Sequence, residues 1–315
     1  RTTKSPAIFV LSQHFAFRML IDTHCHVQFR AFKDDHEAVI KRCLDRGMIL
    51  NVVGTQKDTS RWAVEMAEKH DHVYASIGTH PIHLHPTHVD EEETHFMTRE
   101  EDFDDPYYEE LAQSKKVIGV GECGLDMYHV PKDKTKEEVL EKQKQVFLAQ
   151  VRFAQKHDLP LVIHCREAHD QMIQLLKSEV RSPRLQTPGA SATGGQAKSD
   201  IRGTIHCFTS NWTHAQEYLN LGFYLGFTGV VTFPPKKSDT NPQLRLNEVV
   251  ENVPLDRVVI ETDAPYLAPQ AYRGRRAEPW MVEEVVKRFA AVRHVSVEDM
   301  ANITTANARR LFKIS

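Results

Sequence analysis

The sequence predicts an α/β fold, a single-domain (β/α)8 TIM barrel, on three observations. Strand-like and helix-like segments alternate along the chain, with eight strands among them. An open doubly wound sheet would usually carry a glycine-rich phosphate loop after its first strand, whereas the first strand here runs into His-Cys-His. Six residues of metal-ligating type, scattered between positions 24 and 263, each stand where an apolar run stops. A closed barrel brings such strand ends to one mouth.

Each strand is short, apolar and bounded by turn or polar residues. The runs are 19–23, 48–53, 73–77, 117–120, 161–163, 203–205, 223–227 and 257–260. Helical periodicity fills the gaps at 35–46, 60–70, 136–157, 168–179, 212–221 and 244–250. The 136–157 segment is the longest, with Val139, Leu140, Val146, Phe147 and Val151 recurring at three and four residues. Two more helices, 279–293 and 297–312, close the chain; Pro279 suits a first turn, and Ser296 ahead of Asp299 resembles an N-cap.

The barrel is expected over 19–315. Residues 1–18 hold three basic residues and no acid, which fits an extension that is disordered, a targeting segment, or a stretch upstream of a start at Met19. The 182–200 segment is rich in Gly, Ser, Ala and Pro and reads as a flexible insertion. The acidic 90–110 stretch reads as a solvated loop with a short helix.

At 315 residues the chain can bury a large core without disulfides. Its five dispersed cysteines form no framework and fit a reducing compartment. Cys25, Cys123, Cys165 and Cys207 each adjoin a proposed ligand; on a strand they would face the helix layer, as small buried apolar residues rather than zinc thiolates. No apolar run is long enough to span a bilayer, so no membrane partner is expected and a cytoplasmic location is, or an organellar or nuclear one if the leader is a targeting segment. A net charge of −3 means that any contact with a polyanion depends on local charge or bound metal.

The six candidate ligands are His24, His26, Glu122, His164, His206 and Asp263. Alternate strand residues share a face, so His24 and His26 can both enter the mouth. A carboxylate after a buried strand is costly unless paired or metal-bound. Glu122 can bridge two cations through its two oxygens, or form a buried ion pair with Arg166. Asp263 can ligate metal and accept a proton from water, so Glu122 and Asp263 are the candidate catalytic pair. Six groups exceed the needs of one tetrahedral ion. Two divalent ions are therefore expected, roughly 3.5–4 Å apart, holding an attacking water and clamping a phosphate. Four imidazoles favour zinc, manganese, iron or nickel over magnesium.

These residues lie in IDTHCH (21–26), GTHP (78–81), GECGLD (121–126), LPLVIHCREA (159–168), IHCF (205–208), ETDAPYLAP (261–269), RGRRAEP (273–279) and NARRLF (307–312). On this ordered set the chain resembles the TatD family of metal-dependent deoxyribonucleases, among the amidohydrolase-like TIM-barrel hydrolases. The resemblance implies a (β/α)8 barrel, divalent metals (Zn, Mn or Mg) and hydrolysis of DNA phosphodiesters, usually from 3′ to 5′ on single-stranded ends. It carries the metal role onto His24, His26, Glu122, His164, His206 and Asp263, with Glu122 bridging and Asp263 able to serve as base. The chain departs from the family at Ala277, where Asn is common, and at Thr209-Ser210, where Ser-Gly is frequent; the 182–200 insertion precedes strand six, where it can alter access to the mouth.

Substrate contacts are expected from His80, Arg166, Arg273 and Arg275. Arginine forks suit phosphate oxygens, although Arg166 can equally pair with a ligand carboxylate and the YRGRR stretch can be a solvated loop. Lys236 and Lys237 are weaker candidates. His80 can touch substrate or an additional metal; His83 and His85 are expected to face solvent. Asp126 can orient the site or cap a turn. Tyr128, Phe208 and Tyr266 can stack bases or pack in loops. The rival readings are a hydrolase of C–N or ester bonds, in small molecules or aminoacyl-tRNA, and a non-catalytic scaffold. The oligomeric state is not legible.

Overall fold

The structure, a computed structural model, describes residues 19–86, 88–91, 94–98, 100–179, 201–235 and 242–315. The leader 1–18, the 182–200 insertion, Lys236 and Lys237 lie outside the described residues. The strands are β1 (Leu20–Cys25), β2 (Met48–Val53), β3 (Val73–Ile77), β4 (His88–Glu91), β5 (Thr94–Met97), β6 (Val117–Asp126), β7 (Leu161–Arg166), β8 (Gly203–Ile205), β9 (Tyr224–Phe227) and β10 (Val258–Ile260). The helices are α1 (His36–Leu44), α2 (Lys57–Lys69), α3 (Asp105–Leu111), α4 (Lys136–His157), α5 (His169–Glu179), α6 (Trp212–Asn220), α7 (Pro242–Asn252), α8 (Val282–Arg293) and α9 (Val297–Phe312).

Eight strands pair side by side in parallel in the order β1-β2-β3-β6-β7-β8-β9-β10, with helices between them. The ring closes just beyond the last strand. Cys25 bridges Ala264, the Asp263 amide donates to the His24 carbonyl at 2.9 Å, and the His26 amide to the Ala264 carbonyl at 2.7 Å. Asp22 adds a side-chain clip: it accepts from the Thr262 hydroxyl at 2.6 Å and the Thr262 amide at 3.0 Å. The expected TIM barrel is therefore the observed fold.

Two apolar layers hold it. The larger one lies between strands and helices and includes Leu50, Val52, Ile163, Leu225 and Phe289. The smaller one fills the foot of the barrel with Ile21, Ile49, Ile118, Val162 and Val259, plugged by Leu311, Phe312 and Ile314 at the end of the chain. Burying each such side chain stabilises the fold by about 1.5–3 kcal/mol.

The differences from sequence expectation sit where polar residues interrupt apolar runs. Strands β6 and β7 continue to Asp126 and Arg166, so Glu122 and His164 lie within strands rather than just after them. An apolar criterion stops at a buried charge, but the backbone ladder does not. The acidic 90–110 stretch does carry the short helix α3, and it also contributes to the antiparallel hairpin β4–β5, which no apolar alternation announced. The C-terminal helix pair begins with a 3-10 turn at Pro279–Met281 before α8.

Strand β6 needs glycine to turn its carboxylate inward. Its register slips between Val120 and Cys123, and Gly124 adopts φ +148° against β7. A Cβ at Gly124 would stand 1.9 Å from the His164 carbonyl oxygen. Gly124→Ala should therefore cost on the order of 3 kcal/mol, at the upper end of overpacking penalties, and thermal melting should show a markedly lowered midpoint. An unchanged midpoint would mean that the β6–β7 contact is not as close as described.

Candidate metal centre

The six predicted residues converge. Glu122, on the central strand β6, faces β1 with one oxygen and β3, β7 and β8 with the other. Its Oε2 lies 3.3 Å from His24 Nε2 and 3.7 Å from His26 Nε2. Its Oε1 lies 3.0 Å from His164 Nδ1, 3.3 Å from His80 Nε2 and 3.8 Å from His206 Nε2. Asp263 Oδ1 closes the other side, 3.3 Å from His26 Nε2 and 3.7 Å from both His24 and His206. Ligand atoms of three sets lie within 4.8 Å of one another: His24–Glu122–His206, His24–His26–Asp263 and His80–Glu122–His164.

How His24 and His26 come to face inward differs from simple alternation. Ile21 belongs to the inner layer and Cys25 to the outer one, although they are four residues apart. The alternation slips once, at the register irregularity between Asp22 and Cys25. The two Nε2 atoms end 3.1 Å apart. Two imidazole nitrogens aimed at each other, beside the buried Glu122 and the partly exposed Asp263 carboxylates, make a donor set that suits a divalent cation of the borderline kind.

The far ring nitrogens show which imidazoles can ligate. His26 Nδ1 lies 2.7 Å from the Val53 carbonyl, which only an N–H can satisfy, so Nε2 keeps its lone pair for the centre. His164 Nε2 lies 3.0 Å from Asp126 Oδ2, so Nδ1, 3.0 Å from Glu122 Oε1, is the nitrogen that faces the centre. Glu261 Oε1 lies 2.9 Å from His206 Nδ1 as a charge contact without hydrogen-bond geometry, and Nε2 is the nitrogen that faces Glu122 and Asp263. Such outer carboxylates and carbonyls fix the tautomer of metal-binding histidines. His80 has the opposite polarity. Its Nδ1 accepts the Ile82 amide at 3.1 Å, so its Nε2 carries the proton and donates toward Glu122. Of the two roles open to His80 in the sequence, substrate contact is the one this tautomer suits.

Electrostatics follow from the crowding. Burial works against charge on His164, but Asp126 and Glu122 outweigh it and lift its pKa to about 9. Burial is likewise overcome at His206, where Glu261, Asp263 and Glu122 lift it to about 10. Burial alone would raise Glu122; the surrounding histidines, His80 and His24 foremost, hold it well below the usual carboxylate range. Asp263 is also held low, by His206 and His26 against its burial. Burial and His206 press His24 the other way, toward the neutral form.

A cavity of about 640 Å³ opens over these groups, within the range of small-ligand sites, roughly 300–1,000 Å³. Arg166 lines it with its guanidinium 3.8 Å over the Tyr128 ring. Arg273 and Arg275 are not among the lining residues: Arg273 lies over the Phe233 ring, and Arg275 lines a separate pocket with Arg42 and Arg46. His83, expected at the surface, is buried and lines the cavity. Phe208, considered for stacking, is buried in the core, whereas Tyr266 lines the cavity. Asp126 both caps its turn, accepting the Tyr128 and His129 amides at 2.9 and 2.8 Å, and contacts His164. Cys25 and Cys123 pack in the helix-facing core as expected, but Cys165 and Cys207 also line the cavity. Burial pushes all four thiols up, and among the described residues no cysteine joins the three ligand groups.

Sequence reasoning missed Glu261, although a second acidic residue two positions before Asp263 was a signal. It is buried, and Gly226 leaves room for it: a Cβ there would lie 2.6 Å from its oxygen. It also missed Gln143 and Gln150, which fall in the apolar stripe of α4. Their amides clamp the backbone of Asp126 and of Thr79, one at each of two strand ends. Arg30 and Trp62, both lining the cavity, carried no motif.

A family model described as TatD related DNase matches residues 21–313. The chain is 38% identical over 298 residues to a Bacillus subtilis protein named uncharacterized metal-dependent hydrolase YabD, covering 94% of this chain and all of that one. It is 29% identical over 301 residues to the 3′-5′ ssDNA/RNA exonuclease TatD of Erwinia tasmaniensis, with 94% of this chain and all of that one covered. Among solved structures, the TatD homologue YjjV of Escherichia coli K12 superposes with a TM-score of 0.72 at 26% identity, over 95% of this chain and 100% of that chain.

Glu261→Ala should weaken zinc or manganese binding about 10–100-fold, the usual cost of removing an outer partner of a ligand, measured by calorimetric titration; unchanged affinity would remove Glu261 from the centre. The raised imidazoles predict a pH effect. Their contribution to stability is complete below the ordinary histidine pKa of about 6.5 and is lost as pH rises through about 9 to 10. Chelator-treated protein should therefore melt at a lower temperature at pH 9.5 than at pH 7. Ligation needs proton-free nitrogens, so added manganese should raise the melting point more at the higher pH. A flat profile in chelator would contradict the assignment.

Proposed function

The chain belongs to the TatD related DNase family of metal-dependent hydrolases, and on that premise we propose that it is a two-metal 3′-5′ exonuclease acting on single-stranded DNA ends. The observation that carries the reading is the pair of oxygens on Glu122, which face two different histidine sets. His24, His26 and Asp263 would hold one divalent ion, and Glu122 with His164 on the side of its other oxygen would help hold a second. Bound there, such ions would supply positive charge at the phosphate and water acidified enough to attack at neutral pH.

The remaining work falls to side chains of the chain itself. Asp263, 16% exposed and kept ionised by its histidines, faces the cavity and accepts the proton of the attacking water. His80, with its Nε2–H directed into the site, donates to a phosphate oxygen. Arg166, braced on Tyr128, and Arg30 supply guanidinium forks for the scissile phosphate and its neighbour. Arg273 and Arg275, away from the cavity, meet only phosphates farther along a strand. Two guanidiniums over the ligand cluster also favour an anionic substrate over a neutral amide or ester. A few phosphate contacts imply a shallow salt dependence.

The test is a gel of end-labelled single-stranded oligonucleotides across a zinc, manganese and magnesium series, with matched RNA and duplex. Progressive shortening from the 3′ end, abolished by chelator, is the expected result. Glu122→Ala should reduce kcat by at least about 10³-fold, within the range for losing a catalytic group, while circular dichroism and melting remain those of a folded barrel. Full activity of that variant would exclude the bridging role, and cleavage of aminoacyl-tRNA or a cyclic amide but of no oligonucleotide would reassign the enzyme.

A further inference from the structure

Among the described residues three large apolar side chains stand exposed: Met19, Trp62 and Tyr128. Met19 belongs to the foot of the barrel, where its carbonyl accepts from Thr305 of α9. The other two belong to the mouth. Tyr128 supports Arg166, and Trp62, 50% exposed in the second turn of α2, lines the metal cavity together with Thr59 and Ile82. Scattered exposed apolar residues need no explanation. A half-exposed indole on the wall of an anion-binding cavity does, because an indole offers a flat face that a nucleobase can cover while its phosphate lies on the guanidiniums.

The surroundings agree with that use. The cavity holds cationic and metal-ligating groups at its floor, while Trp62 and Ile82 give this wall an apolar surface. Pairing and stacking hold a base of a duplex in line with its neighbours, whereas a base of a single strand can be splayed out and turn a face to an aromatic ring. The first turns of α2 follow directly on β2, so the helix carries the indole at the end of the barrel where the strands deliver their ligands.

We propose that Trp62 is the stacking platform for an unpaired base of the strand whose phosphate enters the metal cavity, and that it contributes to a preference for single strands. The proposal rests on the phosphodiesterase reading and adds the residue that recognises the base. Trp62 is a positioning residue: it holds the strand and takes no part in bond breaking.

The experiment compares wild type, Trp62→Ala and Trp62→Phe on a single-stranded oligonucleotide and on the same oligonucleotide with its last two 3′ residues abasic, with bis(p-nitrophenyl) phosphate as a strand-free diester for the wild type. Alanine is a good helix former, and the indole is half in solvent, so α2 should persist in the variant. Trp62→Ala should raise KM for the intact oligonucleotide about 10-fold, the scale of one lost base stack, with kcat little changed; Trp62→Phe should recover most of the loss. The abasic substrate should reduce wild type to the level of Trp62→Ala and leave that variant no worse. Equal KM values for wild type and Trp62→Ala, or losses that multiply on the abasic substrate, would overturn the platform. If wild type hydrolyses neither oligonucleotide nor the small diester, the phosphodiesterase reading itself falls and the platform with it, a result distinct from the first two.

Discussion

The carboxylate of Glu122 is the contact on which the site depends. It is buried on β6 with histidines from β1, β7, β8 and the loop after β3 within 4 Å of its two oxygens. A lone carboxylate in such a place would pay a large desolvation penalty, and the imidazoles alone would repel one another once protonated. Cations held between them would resolve both problems. The arrangement behind the rings points the same way: Val53 and Asp126 hydrogen-bond the outer nitrogens of His26 and His164, Glu261 places its charge beside that of His206, and the inner nitrogens face the centre.

The rest of the barrel divides its labour between its two ends. The foot is apolar and closed by the last residues of the chain. The mouth carries the strain. Of the seven non-glycine residues with positive φ among the described residues, Asp158, His294 and Lys313 cap helices. The other four, Glu167, Cys207, Asp263 and Leu267, lie in the loops after β7, β8 and β10. Each such conformation costs on the order of 1–3 kcal/mol and persists only where its surroundings over-determine it. At Asp263 the compensation is visible, since its amide donates to the His24 carbonyl and so closes the barrel. Ring closure and ligand placement are thus one interaction at this point.

Much of this was legible beforehand, for reasons that differ by residue. The candidate ligands were readable because imidazoles and carboxylates at the ends of apolar runs have few uses in a core. The strand positions were readable from the same runs, although β6 and β7 outlast them, because hydrogen bonding across a parallel pair does not stop where hydropathy does. Roles set by three-dimensional detail were not readable. His80 and His164 look alike in sequence, and only the amide of Ile82 against the carboxylate of Asp126 separates their tautomers. Three arginines of the RGRR stretch look alike in sequence, but Arg276 pairs with Asp35 at the start of α1, Arg273 rests on Phe233, and Arg275 opens on another pocket. Arg30 and Trp62 reach the cavity from positions with no pattern around them. Ala277, where the family commonly has Asn, is buried and keeps its loop tied to Pro265 through the backbone.

The central claim is that Glu122 bridges two cations. Anomalous diffraction from crystals grown with manganese tests it most directly. Two peaks about 3.5–4 Å apart, one among His24, His26 and Asp263 and the other beside His164, with an oxygen of Glu122 toward each, are the predicted result. Density for a single ion, or peaks displaced from Glu122 altogether, would contradict the account.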